Sequence, residues 1–477
     1  MKRLISRIAV FALGAASLAP SACSPTSMQS QNPSRDSERE TPAEESSLPR
    51  GEVKAFPTAE GFGASTRGGR GGRICEVTNL NNSGSGSLRA CAEASGPRIV
   101  VFRTAGTITV RDDITIENPY LTVAGQTASG AGITLKSSAA HIDGPIAVKA
   151  HDVVIRHVRF RPGPSRRLSS MRRGISLEAG AYNVILDHVS VSWATDENVT
   201  LIDGVHDVTV QWSIISEGLN NSTHVEGAHS MGMLISYQQF DSSMKTQDIT
   251  VHHNLFAHNH DRNPRNASWG LVDAVNNVVY DFGIRGVNVS DSSGVKVPQN
   301  VVANYFKAGP STESYAYDVQ VSNDSVGAAL YVEGNLGPHR INNNQPQSYI
   351  VDPADRRYVV TTRHSAPEVA TTSASRAYDD VLAGAGTRVP VLDPVDRRII
   401  NDVKNRTGRI IDDPSDVGGW PILAAGTSLG DRDHDGMPDR WEVLHGLDPD
   451  NRLDGPAIAA NGYTNVENYL NELAGDF

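Results

Sequence analysis

The sequence predicts an all-β fold, a right-handed parallel β-helix that ends in a short helical extension. The chain is rich in glycine, with 43 residues, and poor in aromatic residues, at 6%. Such a composition is typical of a β architecture with many turns. Four segments in the middle of the chain also share one strand-like pattern at irregular intervals, and helix-like segments appear only towards the C-terminus.

The four repeated segments predict the coils of a solenoid. Each begins with a polar residue followed by Asp or Asn, alternates apolar and polar positions, and ends in a second apolar stretch. Because the intervals are uneven, the coils share a core but carry loops of different length, whereas a β-sandwich would show more regular hairpin turns. We therefore expect the β-helix to span residues 51–345. The segments are HDVVIRHVRF (151–160), YNVILDHVSV (182–191), HDVTVQWSII (206–215) and QDITVHHNLF (247–256).

Further coils are predicted before and after these repeats, at NPYLTVAG (118–125), VDAVNNVVYDF (272–282) and PQNVVANYF (298–306). Asparagine recurs near the predicted corners of the coils, where it suits a left-handed backbone and side-chain ladders. These corner residues are Asn183, Asn254, Asn277 and Asn304.

Composition and charge limit the classes of function. Of the 477 residues, 39% are apolar and 20% are charged, which is typical of a folded protein. The net charge of -11 argues against a nucleic-acid partner, since phosphate binding needs an excess of Lys and Arg. A polyanionic ligand must therefore meet a local basic site. Separately, we expect the protein to be a monomer.

The N-terminal segment predicts export. Lys2, Arg3 and Arg7 precede an apolar run over residues 8–19 that is too short to cross a bilayer, so residues 1–22 are expected to be a signal peptide. Cleavage before Cys23 would give a lipid anchor, and simple secretion is the alternative. Residues 23–50 are expected to be a disordered spacer. The predicted location is thus outside the cell, or the outer envelope of a bacterium as a lipoprotein.

Two further cysteines bracket a turn rich in glycine and serine. In an oxidising compartment Cys75 and Cys91 could form a disulfide that closes a short loop, and two buried free thiols are the alternative. Sequence spacing leaves both possibilities open.

Several motifs, in order over residues 55–310, resemble the pectate lyases of polysaccharide lyase family one, and especially their environmental bacterial branch. This resemblance implies the β-helix and the β-elimination of a polyuronate, with polygalacturonate as the acidic polysaccharide partner. The motifs include AFPTAEGFGASTRGGRGG, VTNLNNSGSGSLRAC, LTVAGQTASGAGI, ILDHVSVSWATDEN, ISEGLNNSTHVEGAHSMG and VHHNLFAHNHDRNPR.

The resemblance also implies roles for individual residues. Arg262 opens an Arg-x-Pro motif and matches the presumed catalytic base, and Arg265 follows it. Asp187 and His188 match an Asp-His pair that is expected at the substrate. A further arginine of the motif is replaced here by Ala267.

The implied chemistry explains why the site needs cations. Removing a proton next to an ionised carboxylate builds a second negative charge, which guanidinium groups or a metal ion stabilise. A free guanidinium keeps its own proton at ordinary pH. Either burial lowers the pKa of Arg262 enough for its neutral form to act as the base, or a neighbour such as His229, His260 or Asp261 accepts the proton. The sequence leaves this open.

The calcium site that the resemblance implies at the cleft is incomplete in this sequence. Gly174 and Arg172 stand at the upstream acidic positions, Asp196 fills one downstream position, and Thr200 replaces the other. Asp196 thus remains a candidate metal ligand. Arg172 and Arg173 are then expected to replace part of the calcium charge and to bind the uronate. The alternative is an ordinary solvated loop, since seven arginines lie between positions 156 and 173.

Nearby, the loop STHVEGAHSMG contains His224, Glu226 and His229. Loop histidines beside a carboxylate are more often hydrogen-bonded residues than a zinc site, so only His229 is given a place in the cleft.

A separate calcium-binding motif, DRDHDGMPDRWE, lies near the C-terminus. Its oxygen ligands have the spacing of an EF-hand loop, with Gly436 at the sharp turn, and this chemistry suits Ca²⁺. The loop resembles those of dockerin-like and thrombospondin-type-three segments, so we expect a structural calcium within residues 426–477. The predicted ligands are Asp431, Asp433, Asp435, the carbonyl of Met437, Asp439 and Glu442.

Residues 346–425 are expected to form an extension that packs on the solenoid, with helices near AYDDVLAGAG and DPVDRRIINDV. The predicted function is an exported lyase that cleaves polygalacturonate by β-elimination. One alternative is a hydrolase of the polygalacturonase type, which would use paired carboxylates such as Asp196 and Glu197. The other is a non-catalytic carbohydrate-binding adhesin.

Overall fold

The computed structural model describes residues 53–236, 244–290, 296–322 and 327–476. The predicted signal peptide, Cys23 and most of the predicted spacer lie outside these residues. All of the described residues fall in one unit, Ser46–Phe477. Among them, each helix is too short or too polar to cross a bilayer.

The first strands are β1 (Arg73–Val77), β2 (Arg98–Phe102), β3 (Gly106–Val110), β4 (Ile114–Ile116), β5 (Leu121–Ala124), β6 (Ile133–Ser137), β7 (Ile146–Val148), β8 (Val153–Arg156) and β9 (Arg159–Phe160). The middle strands are β10 (Ile175–Leu177), β11 (Tyr182–Asp187), β12 (Ser190–Ser192), β13 (Glu197–Leu201), β14 (His206–Gln211), β15 (Ile214–Ser216), β16 (Met231–Ser236), β17 (Gln247–His252) and β18 (Leu255–Ala257). The last strands are β19 (Arg265–Ala267), β20 (Val272–Val275), β21 (Val278–Tyr280), β22 (Arg285–Val289), β23 (Val297–Val302), β24 (Tyr305–Lys307), β25 (Tyr317–Val321), β26 (Ala328–Glu333) and β27 (Val359–Val360).

These strands stack into three parallel sheets, which confirms the predicted parallel β-helix. Within the described residues, sheet A has eleven strands in the order β1-β2-β5-β8-β11-β14-β17-β20-β23-β26-β27. Sheet B runs β24-β21-β18-β15-β12-β9-β6-β3, and sheet C runs β25-β22-β19-β16-β13-β10-β7-β4. Each coil therefore passes from sheet A to sheet B to sheet C. Their inward-facing apolar side chains form one continuous core along the axis.

The four repeated segments each hold a strand of sheet A and the following strand of sheet B. Their second residues all have a positive φ, between 49° and 58°, which explains the recurrent Asp or Asn, since these residues tolerate the left-handed region. Their seventh residues are also left-handed, and their rings stack from coil to coil. The seventh residues are His157, His188, Trp212 and His253.

A ladder of buried asparagines lies at the same corner. Each side-chain Nδ2 donates a hydrogen bond of 2.9–3.0 Å to Oδ1 of the asparagine in the next coil, from Asn254 to Asn277 and on to Asn304. Asn335 extends the ladder by one coil. The predicted ladder is thus confirmed for three residues. Asn183 is not part of it but has the predicted left-handed backbone, with a φ of 49° at the start of β11, whereas the three asparagines of the ladder do not have a positive φ.

In the described part of the chain five α-helices accompany the solenoid, and the disulfide between Cys75 and Cys91 joins β1 to the first of them. The helices predicted in the extension and at the C-terminus are confirmed. The two helices of the extension pack on sheet B, and the C-terminal helix packs on sheet A against Ile99 and Val101. The helices are α1 (Leu88–Ala92), α2 (Ala374–Gly384), α3 (Pro394–Asn405), α4 (Asp439–His445) and α5 (Asn465–Ala474). Short 3-10 helices span Phe62–Ser65, Gly125–Thr127, Gln347–Ile350, Arg356–Tyr358 and Pro414–Val417.

Candidate active site

The turns that lead from sheet B into sheet C bring together most of the predicted catalytic residues. Arg262 lies between β18 and β19, Asp196 lies between β12 and β13, and His229 lies between β15 and β16. Arg173 comes just before β10. Because parallel strands of successive coils are stacked, equivalent turns also stack, along the side of sheet C on which its strands begin. We call this side the edge of sheet C.

Arg262 contacts the carboxylate of Glu197 through Nη1, and both side chains are nearly buried, at 14% and 2% exposed. Its φ of 63° turns the chain sharply into Asn263 and Pro264. Burial of the guanidinium, together with the positive charge of Arg265, lowers the pKa of Arg262 to about 10. The neutral form of this guanidinium is therefore far easier to reach than that of an exposed arginine, while contact with Glu197 favours the charged form.

Two more arginines flank Arg262. Arg265 donates from Nε to the hydroxyl of Ser290 at 2.8 Å, and burial lowers its pKa. Arg285 donates to Asp261 at 2.5 Å and keeps a third of its side chain exposed. Sequence reasoning missed Arg285, although it stands at the start of β22, the strand beside β19 in sheet C. Its positive charge lies near Arg262 and Arg265, where, after burial, it contributes to lowering the pKa of both.

Asp196 is held between a cation and two histidines. Its Oδ2 accepts a hydrogen bond from Nε of Arg173 at 3.2 Å. Its Oδ1 lies 3.4 Å from Nε2 of His229 and 3.7 Å from Nε2 of His224. The structure thus places Arg173, Asp196 and His229 together as predicted neighbours, and it adds His224, which the sequence analysis had set aside.

Arg172 does not face the cleft, which argues against its predicted role in binding the uronate. The side chain is fully buried, and its guanidinium donates to backbone carbonyls, including those of Gly163 at 2.7 Å and Pro162 at 3.1 Å. Its own carbonyl accepts from the backbone N–H groups of Thr195 and Asp196. Arg172 therefore holds the turns that carry the site.

The predicted substrate contact of Asp187 and His188 also does not fit the structure. Asp187 ends β11 in sheet A and has no exposed side chain, and its carboxylate accepts from Nε of Arg156 and Nε2 of Gln211 at 2.8 and 2.9 Å. Nδ1 of His188 lies 2.8 Å from the same carboxylate. Arg156 also pairs with Asp476 at 2.8 Å. The pair thus belongs to a buried network that fixes the C-terminal tail.

Other arginines of the run between positions 156 and 173 attach the extension to the solenoid, so the run is not simply a solvated loop. Arg161 is completely buried, contacts the carboxylate of Asp393, and donates to Asp396 at 2.8 Å. Arg159 donates to backbone carbonyls around Thr387. Arg166 and Arg167 are exposed, and Arg173 is the member of the run that reaches Asp196.

The C-terminal loop gathers a ligand set that differs from the predicted one. Oxygens of Asp433, Asp435, Glu442 and Asp454 lie within 4.8 Å of one another. Asp454, which the sequence analysis did not include, comes from the turn after α4, in DPDNRLDG. The second run of Asp and Asn, which follows the first motif, is the sequence signal that could have identified Asp454 as a ligand.

Two predicted ligands of this loop have other partners. Asp439 begins α4 and accepts from the backbone N–H and Nε of Arg432, at 2.9 and 3.0 Å. Asp431 contacts Arg103 of the solenoid and accepts from the backbone N–H of Gly436 at 3.0 Å. The side chain of Met437 is buried against sheet A, and its carbonyl stays a predicted ligand.

The carboxylates of this loop fit a cation. Among the described residues, both side-chain oxygens of Glu442 and one oxygen each of Asp433, Asp435 and Asp454 are buried without a hydrogen bond. Burial, and repulsion from the neighbouring carboxylates, raise the pKa of Asp435 to about 8 and that of Glu442 to about 7. Hard oxygen ligands gathered in this way suit Ca²⁺.

The solenoid and its site have clear relatives. A family model described as pectate lyase matches residues 52–360. The chain is 35% identical over 427 residues to the probable pectate lyase C of Aspergillus fumigatus, covering 88% of this chain and 93% of that protein. It is 35% identical over 434 residues to the probable pectate lyase C of Emericella nidulans, covering 88% and 92%.

A solved structure supports the fold alone. The major allergen from cedar pollen has a TM-score of 0.50 and 17% sequence identity, covering 69% of this chain and 92% of that chain. Both of these pectate lyase C relatives are fungal, so they do not support the predicted bacterial branch, which stays a prediction. The match of the family model over most of the solenoid, together with 35% identity across nearly the whole length of fungal relatives, shows that the chain belongs to the pectate lyase family.

Proposed function

We propose that this protein is a polysaccharide lyase that cleaves polygalacturonate by β-elimination. The observation that carries the proposal is the half-buried group of arginines at the edge of sheet C, in a chain whose net charge is -11. Arg173, Arg262, Arg265 and Arg285 all lie in or beside the turns that enter this sheet. A repeating polycarboxylate is the ligand that such a row of cations fits.

In the proposed reaction, a base removes the proton from C5 of a galacturonate unit. The electron pair forms the C4=C5 double bond, and the C4–O4 bond breaks, so that O4 leaves with the departing sugar and is then protonated. The negative charge that develops on the C6 carboxylate in the transition state is stabilised by the guanidinium groups around it. Arg265 and Arg285 are the proposed partners of that carboxylate.

Arg262 is the proposed base. Its burial brings the pKa of its guanidinium to about 10, within reach of proton transfer in alkaline solution. In the free protein Glu197 holds the charged form, so the substrate has to replace this contact before Arg262 can accept a proton. His229 is proposed to contribute to the site through Asp196 rather than as the base.

The arrangement of the acidic residues does not favour the hydrolase alternative. Glycoside hydrolysis needs two carboxyl groups that face each other across one glycosidic bond. Asp196 and Glu197 are adjacent, but Asp196 contacts Arg173 and Glu197 contacts Arg262. Each carboxylate is thus paired with its own arginine rather than placed opposite the other.

The proposal is tested by incubating the protein with polygalacturonate and following the ultraviolet absorbance of the unsaturated product. We expect absorbance to rise with the native protein and with Arg376→Ala, a variant of an exposed arginine on α2. Reducing ends that appear without this absorbance would indicate hydrolysis. Binding without any cleavage would indicate an adhesin.

Calcium is the proposed ligand of the C-terminal loop, where it has a structural role. The loop lies against β1 and β2, and Met437 and Leu470 pack on the outer face of sheet A. A cation that neutralises the four carboxylates would fix α4 and α5 on this face. The loop's resemblance to dockerin-like and thrombospondin-type-three segments remains part of this proposal.

The segments of the chain are proposed to divide as the sequence indicates. Residues 1–22 act as an export signal and residues 23–50 as a spacer, followed by the catalytic solenoid (51–345), its extension (346–425) and the calcium tail (426–477). Secretion, or lipid attachment at Cys23, would place the enzyme where its polymeric substrate is found.

A further inference from the structure

Two histidines and one aspartate form a compact buried cluster beside the arginines. The rings of His224 and His229 stack, with centroids 3.6 Å apart and planes 13° from parallel. Both Nε2 atoms face Oδ1 of Asp196, at 3.7 and 3.4 Å. All three side chains are buried, and one ligand atom of each lies within 4.8 Å of the other two.

These distances do not describe hydrogen bonds. An N–H···O hydrogen bond has a donor–acceptor distance of about 2.7–3.2 Å, which is shorter than both contacts. Two ligand atoms at about 2.0–2.1 Å from one tetrahedral ion lie roughly 3.3 Å apart. The separations between the histidine nitrogens and Oδ1 thus approach those of ligands that share an ion. Because the two rings are nearly parallel, the ring of His224 has to turn before both Nε2 lone pairs point at the same ion.

The donor atoms select the kind of ion. Calcium prefers six to eight oxygens, whereas two imidazole nitrogens with one carboxylate suit transition metals such as Zn²⁺. We propose that Asp196, His224 and His229 form a binding site for one divalent transition-metal ion. Three protein ligands leave a coordination position for water or for an oxygen of a ligand in the cleft.

Neighbouring groups orient the three ligands. Nε of Arg173 holds Oδ2 of Asp196 at 3.2 Å, which leaves Oδ1 for the ion. Oε2 of the exposed Glu226 lies 3.6 Å from Nδ1 of His229, on the ring nitrogen opposite the ion. This contact is longer than a hydrogen bond, so Glu226 contributes negative charge beside the ring rather than fixing its tautomer.

His224 must change its hydrogen bonding when the ion binds. In the structure its Nδ1 accepts from the backbone N–H of Glu226 at 3.1 Å, so the proton of the neutral ring is on Nε2. Coordination through Nε2 moves this proton to Nδ1 and breaks that hydrogen bond. The turn around Glu226, which is exposed, is therefore the segment that shifts on metal binding.

The role of the ion in catalysis rests on the proposed function. In the free protein the charges of Arg173 and Arg262 are balanced by Asp196 and Glu197. A divalent ion adds two positive charges beside Arg262. This excess suits a ligand that carries carboxylates, such as a uronate chain.

The binding experiment needs no substrate, so its result is independent of lyase activity. The full-length protein is stripped with a chelator, returned to excess Ca²⁺ to fill the C-terminal loop, and titrated with Zn²⁺ by calorimetry. We expect one equivalent to bind to the native protein and to His206→Ala, a control at a partly exposed histidine on sheet A that is not part of the cluster. We expect at least a hundredfold weaker binding to His224→Ala/His229→Ala.

Absence of Zn²⁺ binding by the native protein would overturn the proposal, as would unchanged binding by the double variant or an equal loss in His206→Ala. Cobalt titration of the native protein gives a second test that needs no variant. A visible ligand-field band with nitrogen ligation supports the site, and its absence in a folded, calcium-loaded sample rejects it. If Zn²⁺ binds but polygalacturonate is not cleaved, the proposed function fails and the metal site stands.

Discussion

Arg262 and Glu197 contact each other although they lie 65 residues apart in the chain. Glu197 begins β13 and Arg262 precedes β19, and the two strands are separated in sheet C by β16 alone. The contact joins the proposed base to a buried carboxylate, so the charge of Arg262 in the free protein depends on a residue two coils away.

Replacing Arg262 by alanine should lower kcat on polygalacturonate about 10²- to 10⁴-fold, the range that a positioned general base contributes. Arg262→Lys should remain impaired, because an ammonium group cannot reproduce the planar contact. The initial rate of formation of unsaturated product is the measurement, and Arg376→Ala is the control. Native-like turnover by Arg262→Ala would reject the proposed role.

The rate should depend on pH through Arg262. A base acts in its deprotonated form, and burial lowers the pKa of Arg262 to about 10, so kcat/KM should rise with pH up to about 10 and then level off. In Glu197→Gln the negative charge that favours the cation is lost, and the rising limb should move to lower pH. A plateau that begins near pH 7 in both proteins would point instead to a histidine base.

Arg173 and Arg172 form a matched pair of adjacent arginines with different environments. Arg173→Ala should raise KM for polygalacturonate several-fold with little change in melting temperature, because Arg173 contacts Asp196 at the site. Arg172→Ala should instead lower the melting temperature, since it leaves several buried carbonyls without a donor. The opposite pattern would restore the sequence-based role of Arg172.

Asp187→Asn should destabilise the fold without a specific effect on KM. Removing one partner of a buried ion pair costs about 3–5 kcal/mol, measured as the free energy of unfolding in urea. Although burial alone would raise it, the charges of His188 and Arg156 hold the pKa of Asp187 well below its usual range. Its stabilising contribution is therefore present above the pKa of the unfolded state, about 3.9, and should be lost as the pH falls below that value. A raised KM with native stability would contradict this structural role.

Calcium removal should lower the melting temperature. At a calcium concentration one hundred times Kd, binding contributes about 2.7 kcal/mol, so a chelator should remove about that amount. Asp435→Asn and Asp454→Asn should abolish the response to the chelator. Asp439→Asn is the control, because Asp439 already pairs with Arg432, and its calcium response should persist. Loss of the response in Asp439→Asn alone, with Asp454→Asn unaffected, would support the ligand set predicted from sequence.

Much of the fold could be predicted because its signals are local. The alternation of apolar and polar residues identifies strands, and the Asp or Asn at each second repeat position marks a left-handed corner. The same locality explains the successful prediction of α2 and α3, whose capping residues and apolar faces lie within a few turns of one another. The Arg262 motif also consists of adjacent residues, but its expected role came from the resemblance to pectate lyases rather than from a local structural preference.

The errors concern contacts between distant segments. Whether Arg172 faces the cleft or the interior depends on the path of its turn, and Asp187 is enclosed because the tail returns with Asp476. Asp454 and His224 join their clusters only when separate turns meet.

The sequence by itself determined the coiled β architecture and left the Cys75–Cys91 disulfide as one of two possibilities. Its motifs suggested elimination and calcium binding through their resemblance to known families. The tertiary structure alone decided which charged groups face the cleft, which are buried as ion pairs, and which side chains complete each cluster. The physical reason is that strand and turn preferences act over a few residues, while burial and ion pairing depend on loops that come together across coils.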